Sequence, residues 1–323
     1  MAIISDAAND PIPSTGRHYG GITATAVSRR FGDVRAVEHM DFHAPAGNVT
    51  ALIGPNGAGK TTLLLMLASL LAPDSGTVTV DGLDPQHHSS DVRRRIGWMP
   101  DTLGVWESLT AREILTQMAR FYRLPAAGIA ERVSGLLDQV RLSSLADQPA
   151  RVLSRGQQQR LSLARALIHD PSVLLLDEPA SGLDPGSRAE LRTMLRQLAK
   201  AGKAIVVSSH VLSELDEVAD GAVFVNNGRT VRQQTIEEAA ALGRRYAISA
   251  TDSGALAAKL TELGLAFRIE DGRRPAVSLM LQENDDAVRL LRDLVLGGVG
   301  VSSFAPASGA LEETYMSIEG ERR

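Results

Sequence analysis

The stretch GPNGAGKTT, Gly54 to Thr62, sets glycines, a lysine and threonines at the spacing G-x-x-x-x-G-K-[ST], after a β-rich run and before an apolar helical one. That combination suits a polyphosphate. Gly54, Gly57 and Gly59, with Pro55, Asn56 and Ala58 between them, permit a backbone that turns successive N–H groups toward an anion, and the positive end of the following helix adds to the attraction. Lys60 is placed to reach the β- and γ-phosphates and Thr61 to set its hydroxyl on Mg²⁺, with Thr62 completing the loop. A second stretch, SVLLLDEP from Ser172 to Pro179, is an apolar run ending in acid. Unpaired charge is costly to bury, so these carboxylates need a cation or a task. Asp177 is expected to hold the Mg²⁺ through water and Glu178 to polarise an attacking water.

The elements that must position these residues can be read from the same pattern. From Gly21 to about Gly228, strand-like and helix-like segments alternate. GNVTALIG, SVLLLDEP and KAIVVSSH are apolar runs suited to a buried parallel sheet, and GTVTVDG is a strand with turn signals, so the core is α/β. Leu109 to Leu142 has helical spacing, and Ser154 to His169 reads as a further helix with serine at its start, which predicts a helical lobe. After Arg244 the order becomes β, α, β, β, α, β, the ferredoxin-like arrangement. The boundary is drawn near Ile236 to Arg245, and an amphipathic segment, ALEETYMSIEG, ends the chain.

Bulk composition narrows the function classes. A length of 323 residues suggests two domains, and 34 Lys and Arg against 38 Asp and Glu give a net charge of −4, with no global drive toward nucleic acid or anionic lipid. Cysteine is absent, which removes disulfides, thiolate catalysis and cysteine-based zinc sites. Residues 1–20 carry neither a basic start nor an apolar run and read as a disordered tail. The longest strongly apolar run, Leu63 to Ala72, is far short of the roughly 20 residues that cross a bilayer, so membrane attachment would need a partner.

GPNGAGKTT, LSRGQ (Leu153 to Gln157), LLLDEP, SGLDP and SSH follow one another in the order and approximate spacing of the ATPase subunits of ATP-binding cassette (ABC) transporters. Over roughly residues 20 to 235 the chain resembles that family. The resemblance implies a P-loop NTPase cassette at 21–235, with a RecA-like core, an antiparallel β region and a helical lobe at about 100–165; a small α+β ferredoxin-like domain follows at 245–323. It also implies that ATP and Mg²⁺ lie between two cassettes facing head to tail. Ser154 and Gly156, within the signature Ser154, Arg155, Gly156 and Gln157, would then offer a hydroxyl and a backbone N–H to the γ-phosphate bound by the opposite subunit. A serine N-cap at a helix N-terminus is a ready anion site, in agreement. Phe31 matches the aromatic that stacks on adenine. His210 matches the histidine that contacts the γ-phosphate and orients water, and Asp184 the loop that crosses the dimer interface.

Two positions depart from the family pattern. Asp101, in IGWMPD, stands where a glutamine is usual; a carboxylate can ligate Mg²⁺ but adds negative charge beside the triphosphate. Arg155 replaces the usual first glycine of the signature. It could point at the nucleotide as an added cation or outward along the helix, and the outward course is expected because the family needs no side chain there. Gln157 to Gln159 pair with the ribose or a permease, or form a polar helix face, the last being expected.

The implied function is the ATP-hydrolysing subunit of an ABC exporter, with Lys60, Glu178 and His210 as its catalytic groups. It would work as a homodimer on the cytoplasmic face of the inner membrane against a separate permease. The alternatives are a soluble family member acting on ribosomes or DNA, or a module that closes on ATP and barely hydrolyses it. The ferredoxin-like unit carries no catalytic spacing and reads as regulatory, dimerising or permease-contacting, with a metabolite sensor also open.

Overall fold

Alternating and continuous apolar runs build two different sheets in the cassette. The computed structural model describes residues 20–320 except 103, 105, 210, 242, 271–275, 283 and 308, so the expectation of a 1–20 tail falls, Gly20 apart, outside the described residues. The described chain opens with β1 (Ile22–Phe31) and β2 (Val34–Ala44), passes through β3 (Val49–Ile53) and α1 (Lys60–Leu67), and returns in β4 (Ser75–Val80). Strands β2, β1 and β4 form a 3-stranded antiparallel sheet in that order. The segment then runs through α2 (Ser89–Arg95) and β5 (Ile96–Met99) into the helical lobe, α3 (Ala111–Phe121), α4 (Ala126–Gln139) and α5 (Arg155–Leu167).

The chain re-enters the core through β6 (Val173–Asp177), α6 (Pro185–Lys200), β7 (Ala204–Ser208), α7 (Leu212–Asp216), β8 (Gly221–Asn226) and β9 (Arg229–Thr235). The 6-stranded sheet has the order β5-β6-β7-β3-β8-β9, parallel throughout except for the edge strand β9. Strands β3, β6 and β7 are buried at every position because both faces are covered. Alternate side chains divide between two cores: Leu174 and Leu176 pack toward the helical lobe and α6, Val173 and Leu175 toward α1 and the antiparallel sheet. The order β6-β7-β3 has a direct consequence. It brings the C-terminal ends of three neighbouring strands to one edge, where open parallel sheets bind ligands.

Beyond α8 (Ile236–Ala241), the elements β10 (Arg244–Ala250), α9 (Ser253–Glu262), β11 (Arg268–Glu270), β12 (Ala276–Leu281), α10 (Asn284–Leu296) and β13 (Val301–Pro306) follow the expected β-α-β-β-α-β order. Their 4-stranded antiparallel sheet, β11-β12-β10-β13, packs around its own core, including Tyr246, Ile248, Leu260 and Leu294. The last helix, α11 (Ala310–Gly320), behaves differently. Leu311 and Ile318 belong to the cassette's core, the Leu311 N–H donates to Asp216 Oδ1 at 2.9 Å, and Gln234 Nε2 donates to Thr314 Oγ1 at 2.8 Å. Thus the segment expected to close the 245–323 unit reaches back to α7 and the end of β9.

Candidate active site

The phosphate loop begins where β3 ends, and close packing dictates its glycines. A Cβ on Gly54 would lie 2.2 Å from the Val225 carbonyl oxygen, and one on Gly59, at φ +97°, would lie 2.4 Å from that of Ala36. No side chain fits at either position. The N-cap of α1 is Gly59 itself, with no side-chain hydrogen bond across the helix start, so the first N–H groups of α1 are left for a ligand. Lys60 Nζ donates to the carbonyls of Gly54 at 2.6 Å and Pro55 at 3.1 Å, which holds the ammonium over the loop. Burial lowers its pKa, while the Glu178 and Asp177 carboxylates act in the opposite sense.

The acids arrive from β6 and are held by β7. Asp177 and Ser208 are register partners, and Ser208 Oγ donates to Asp177 Oδ1 at 2.5 Å. The other oxygen, Oδ2, accepts from Thr61 Oγ1 at 3.5 Å. A buried carboxylate and a hydroxyl at this separation, facing one cavity, form an oxygen-only pair of the kind a hard divalent cation takes. Among the described residues no cluster of three or more His, Asp or Glu side chains could cage a metal, so phosphate oxygens would have to complete the coordination. Glu178 takes a left-handed backbone, φ +51°, uncommon for a residue with a Cβ. Its N–H donates to both the carbonyl, 3.2 Å, and the hydroxyl, 3.1 Å, of Ser208, and its own carbonyl accepts from Gln159 Nε2 at 3.1 Å.

These groups share a cavity of about 610 Å³ lined by Asn56, Gly57, Gly59, Lys60, Thr61, Thr62, Asp177 and Glu178, and also by Val34, Arg35, Ala36, Asp101, Arg155 and Ser181. Asp101 therefore stands at the site, at the mouth of the loop that follows β5. Phe31 does not line the cavity. It ends β1 with 48% of its surface exposed and the Arg29 guanidinium 5.2 Å from its ring centroid, while Val34, Arg35 and Ala36 form the adjacent wall. Asp184 caps α6, accepting from the Ser187 N–H at 3.0 Å and hydroxyl at 2.6 Å, and these bonds lower its pKa. His210 lies outside the described residues.

Ser154, Gly156 and Gln157 do not reach this cavity. Ser154 opens α5 through a capping box: its Oγ accepts from the Gln157 N–H at 3.3 Å, and Gln157 Oε1 accepts from the Ser154 N–H at 2.8 Å. The expectation of a polar glutamine face is corrected here. Gln157 closes the box, Gln158 Nε2 donates to the Ala150 carbonyl at 3.3 Å, and Gln159 is buried against Glu178. The outward course expected for Arg155 is corrected as well. Its Nη2 donates to Ser181 Oγ at 3.2 Å, because the absence of a Cβ on Gly182 leaves room for the side chain to lie across that turn and into the cavity. Sequence reasoning missed Ser208, Ser181 and Arg35, and it missed that Gln159 serves the Glu178 carbonyl. Only Ser208 carried a local signal, as a polar residue ending a strand apolar at every other position.

The family sequence model described as ABC transporter matches residues 37–181. The daunorubicin resistance ATP-binding protein DrrA3 of Streptomyces coeruleorubidus is 33% identical over 305 residues, 94% of this chain and 96% of its own length. The ABC transporter ATP-binding protein NatA of Bacillus subtilis is 36% identical over 67% of this chain and 90% of its own. Among solved structures, an ATP-binding subunit of an ABC transporter superposes with a TM-score of 0.63 at 27% identity, covering 68% of this chain and 91% of its own. A dimeric post-hydrolysis ATP-binding cassette bound to ADP and Pi, 24% identical, shares the fold with a TM-score of 0.61 over 66% of this chain and 98% of its own. A likeness that follows the chain through the cassette and on toward its last helix leaves one assignment: this chain belongs to the ABC transporter family, among its ATP-binding, ATP-hydrolysing subunits.

Proposed function

We propose that two copies of this chain close head to tail on two ATP molecules and that closing and reopening drive export through a separate membrane permease. One observation carries the dimer. Lys60, Thr61, Asp177 and Glu178 converge on one cavity, while Ser154 and Gly156, on a preformed helix N-terminus suited to phosphate, do not line it in their own protomer. A second copy would supply that helix to the open side of the triphosphate.

In this reading the N–H groups of the phosphate loop and the Lys60 ammonium bind the β- and γ-phosphates. Thr61 and Asp177, with Asp101 beside them, would hold Mg²⁺, which when bound neutralises phosphate charge. Glu178 accepts hydrogen bonding from the attacking water and aligns it with the γ-phosphorus, and His210 contacts the γ-phosphate. Asp184 faces the partner across the interface, and Phe31 offers its exposed ring to adenine. Phosphoryl transfer needs positioning and charge stabilisation above all, and the site provides both.

Export through a separate permease is supported by two facts. The relatives include daunorubicin resistance and Nod factor export ATP-binding proteins, and no helix among the described residues is long and apolar enough to cross a membrane. The cassette would then sit on the cytoplasmic face of the membrane. The unit at 245–323, set beside the cassette at 21–235, would serve in regulation or in permease contact.

The test is affinity purification of the chain from its native membranes. The permease is expected to co-purify from membranes with this chain and to raise its ATP hydrolysis. Recovery of the chain on ribosomes or DNA, with no membrane partner, would contradict the reading.

A further inference from the structure

We infer that Arg155 is a positioning residue for hydrolysis in its own protomer, tying the helix that meets the partner's nucleotide to the turn that carries Glu178. The inference rests on the assignment of Glu178 as the water-aligning carboxylate. Its basis is a short chain of contacts. The Arg155 guanidinium donates to Ser181 Oγ at 3.2 Å, and the Ser181 N–H donates to the Glu178 carbonyl at 3.1 Å. The same carbonyl receives Gln159 Nε2 from one turn further along α5. Helix α5 therefore grips the residues around Glu178 from two points, Arg155 at its start and Gln159 within its body.

The Arg155 course is built into the turn. Gly182, at φ +74°, leaves the space that the arginine stem occupies: a Cβ there would lie 2.6 Å from Arg155 Nε and 2.7 Å from its Cδ. Arg155 and Glu178 both border the nucleotide cavity. Glu178 itself holds a left-handed backbone that relaxes unless its surroundings fix it. When Ser154 and Gly156 engage a γ-phosphate, the residue between them moves with them. Its guanidinium carries that displacement to Ser181 and so to the Glu178 turn. Glycine at this position could not make the link.

Steady-state ATP hydrolysis by the full chain tests the idea. Because a small displacement of a reacting group costs about 10-fold or more, Arg155→Gln is expected to lower kcat about 5- to 10-fold with KM for ATP changed less than about 2-fold. Ser181→Ala should do the same, the double variant should be no slower than either single one, and Arg155→Lys, which keeps a donor, should recover most of the rate. A role confined to folding would move the melting temperature without this non-additivity. A rise in KM with kcat unchanged would place Arg155 on the nucleotide instead, an unchanged rate would place it in solvent, and additive losses would break the link through Ser181; each overturns the inference. Glu178→Gln in the same assay separates the two claims. Full hydrolysis by that variant removes the Glu178 assignment, whereas an inactive Glu178→Gln beside additive Arg155 and Ser181 effects removes only the Arg155 inference.

Discussion

Helices α1 and α5 both offer N-termini to phosphate in the proposed dimer, and they are built in opposite ways. Helix α1 has 8 residues, starts at a left-handed glycine and carries no side-chain cap. Its N-terminal donors are held in reserve, and its anchorage comes from Leu63, Leu64, Met66 and Leu67 in the core. Helix α5 has 13 residues and is closed by side chains at both ends, its own at the start and one from α4 at the end. The Ser154–Gln157 box secures its start, while Arg132 donates to the carbonyls of Ile168 at 3.0 Å and Leu167 at 2.5 Å at its end. The contrast separates two ways of presenting donors. The first depends on glycines and a ligand; the second is preorganised, because the Ser154 hydroxyl accepts from Gln157 and keeps its own proton for a phosphate.

The strongest way to break the contrast is to crowd the α1 start. Gly59→Ala adds a Cβ 2.4 Å from the Ala36 carbonyl at a φ of +97°. It should weaken ATP binding more than about 100-fold in equilibrium titration, since both the close contact and the left-handed backbone penalise it. Retained affinity would show that α1 tolerates a different start.

The far end of α5 gives an effect of similar size, on stability rather than on binding. His169 stacks on Tyr122 at a centroid distance of 3.7 Å, its Nε2–H donates to the Ile96 carbonyl at 3.0 Å, and Nδ1 is buried without a partner. Burial drives its pKa down to about 4, partly offset by the bond to Ile96. The folded state therefore binds fewer protons than the unfolded one in this range. Stability should be full above about pH 6.5 and fall by about 3 kcal/mol as the pH drops toward 4. Thermal melts across that range should show a shallower acid limb for His169→Phe; an identical limb would remove His169 from the account.

The smallest effect isolates the box. Gln157→Ala should cost about 1 kcal/mol of stability, measured by denaturant unfolding, while leaving ATP affinity of the isolated protomer unchanged. A loss of affinity with no loss of stability would mean that Gln157 serves the nucleotide rather than the helix.

Much of this site was legible because its signals are local. The phosphate loop is a single run whose glycines, lysine and threonine act within one turn of chain, and the acids of β6 stand out against an apolar strand. The β-α-β-β-α-β order after Arg244 was legible from period alone. What could not be read depends on distant partners. The direction of Arg155 is decided by the missing Cβ of Gly182, the burial of Gln159 by the Glu178 carbonyl, and the docking of α11 by Asp216 and Gln234. Phe31 is an intermediate case: its type and position suggest a stacking ring, and it stands exposed at the end of β1 next to a cavity wall built by Val34, Arg35 and Ala36.

The most direct test of a site shared between two copies is complementation. Lys60→Ala removes the phosphate-loop cation and Ser154→Ala the opposed hydroxyl, so each variant alone should be nearly inactive. In an equal mixture, half of the dimers would be mixed and each would hold one intact pairing of Lys60 with the partner's Ser154; hydrolysis should return to about a quarter of the wild-type rate. A mixture no faster than the sum of its two components would contradict the shared site.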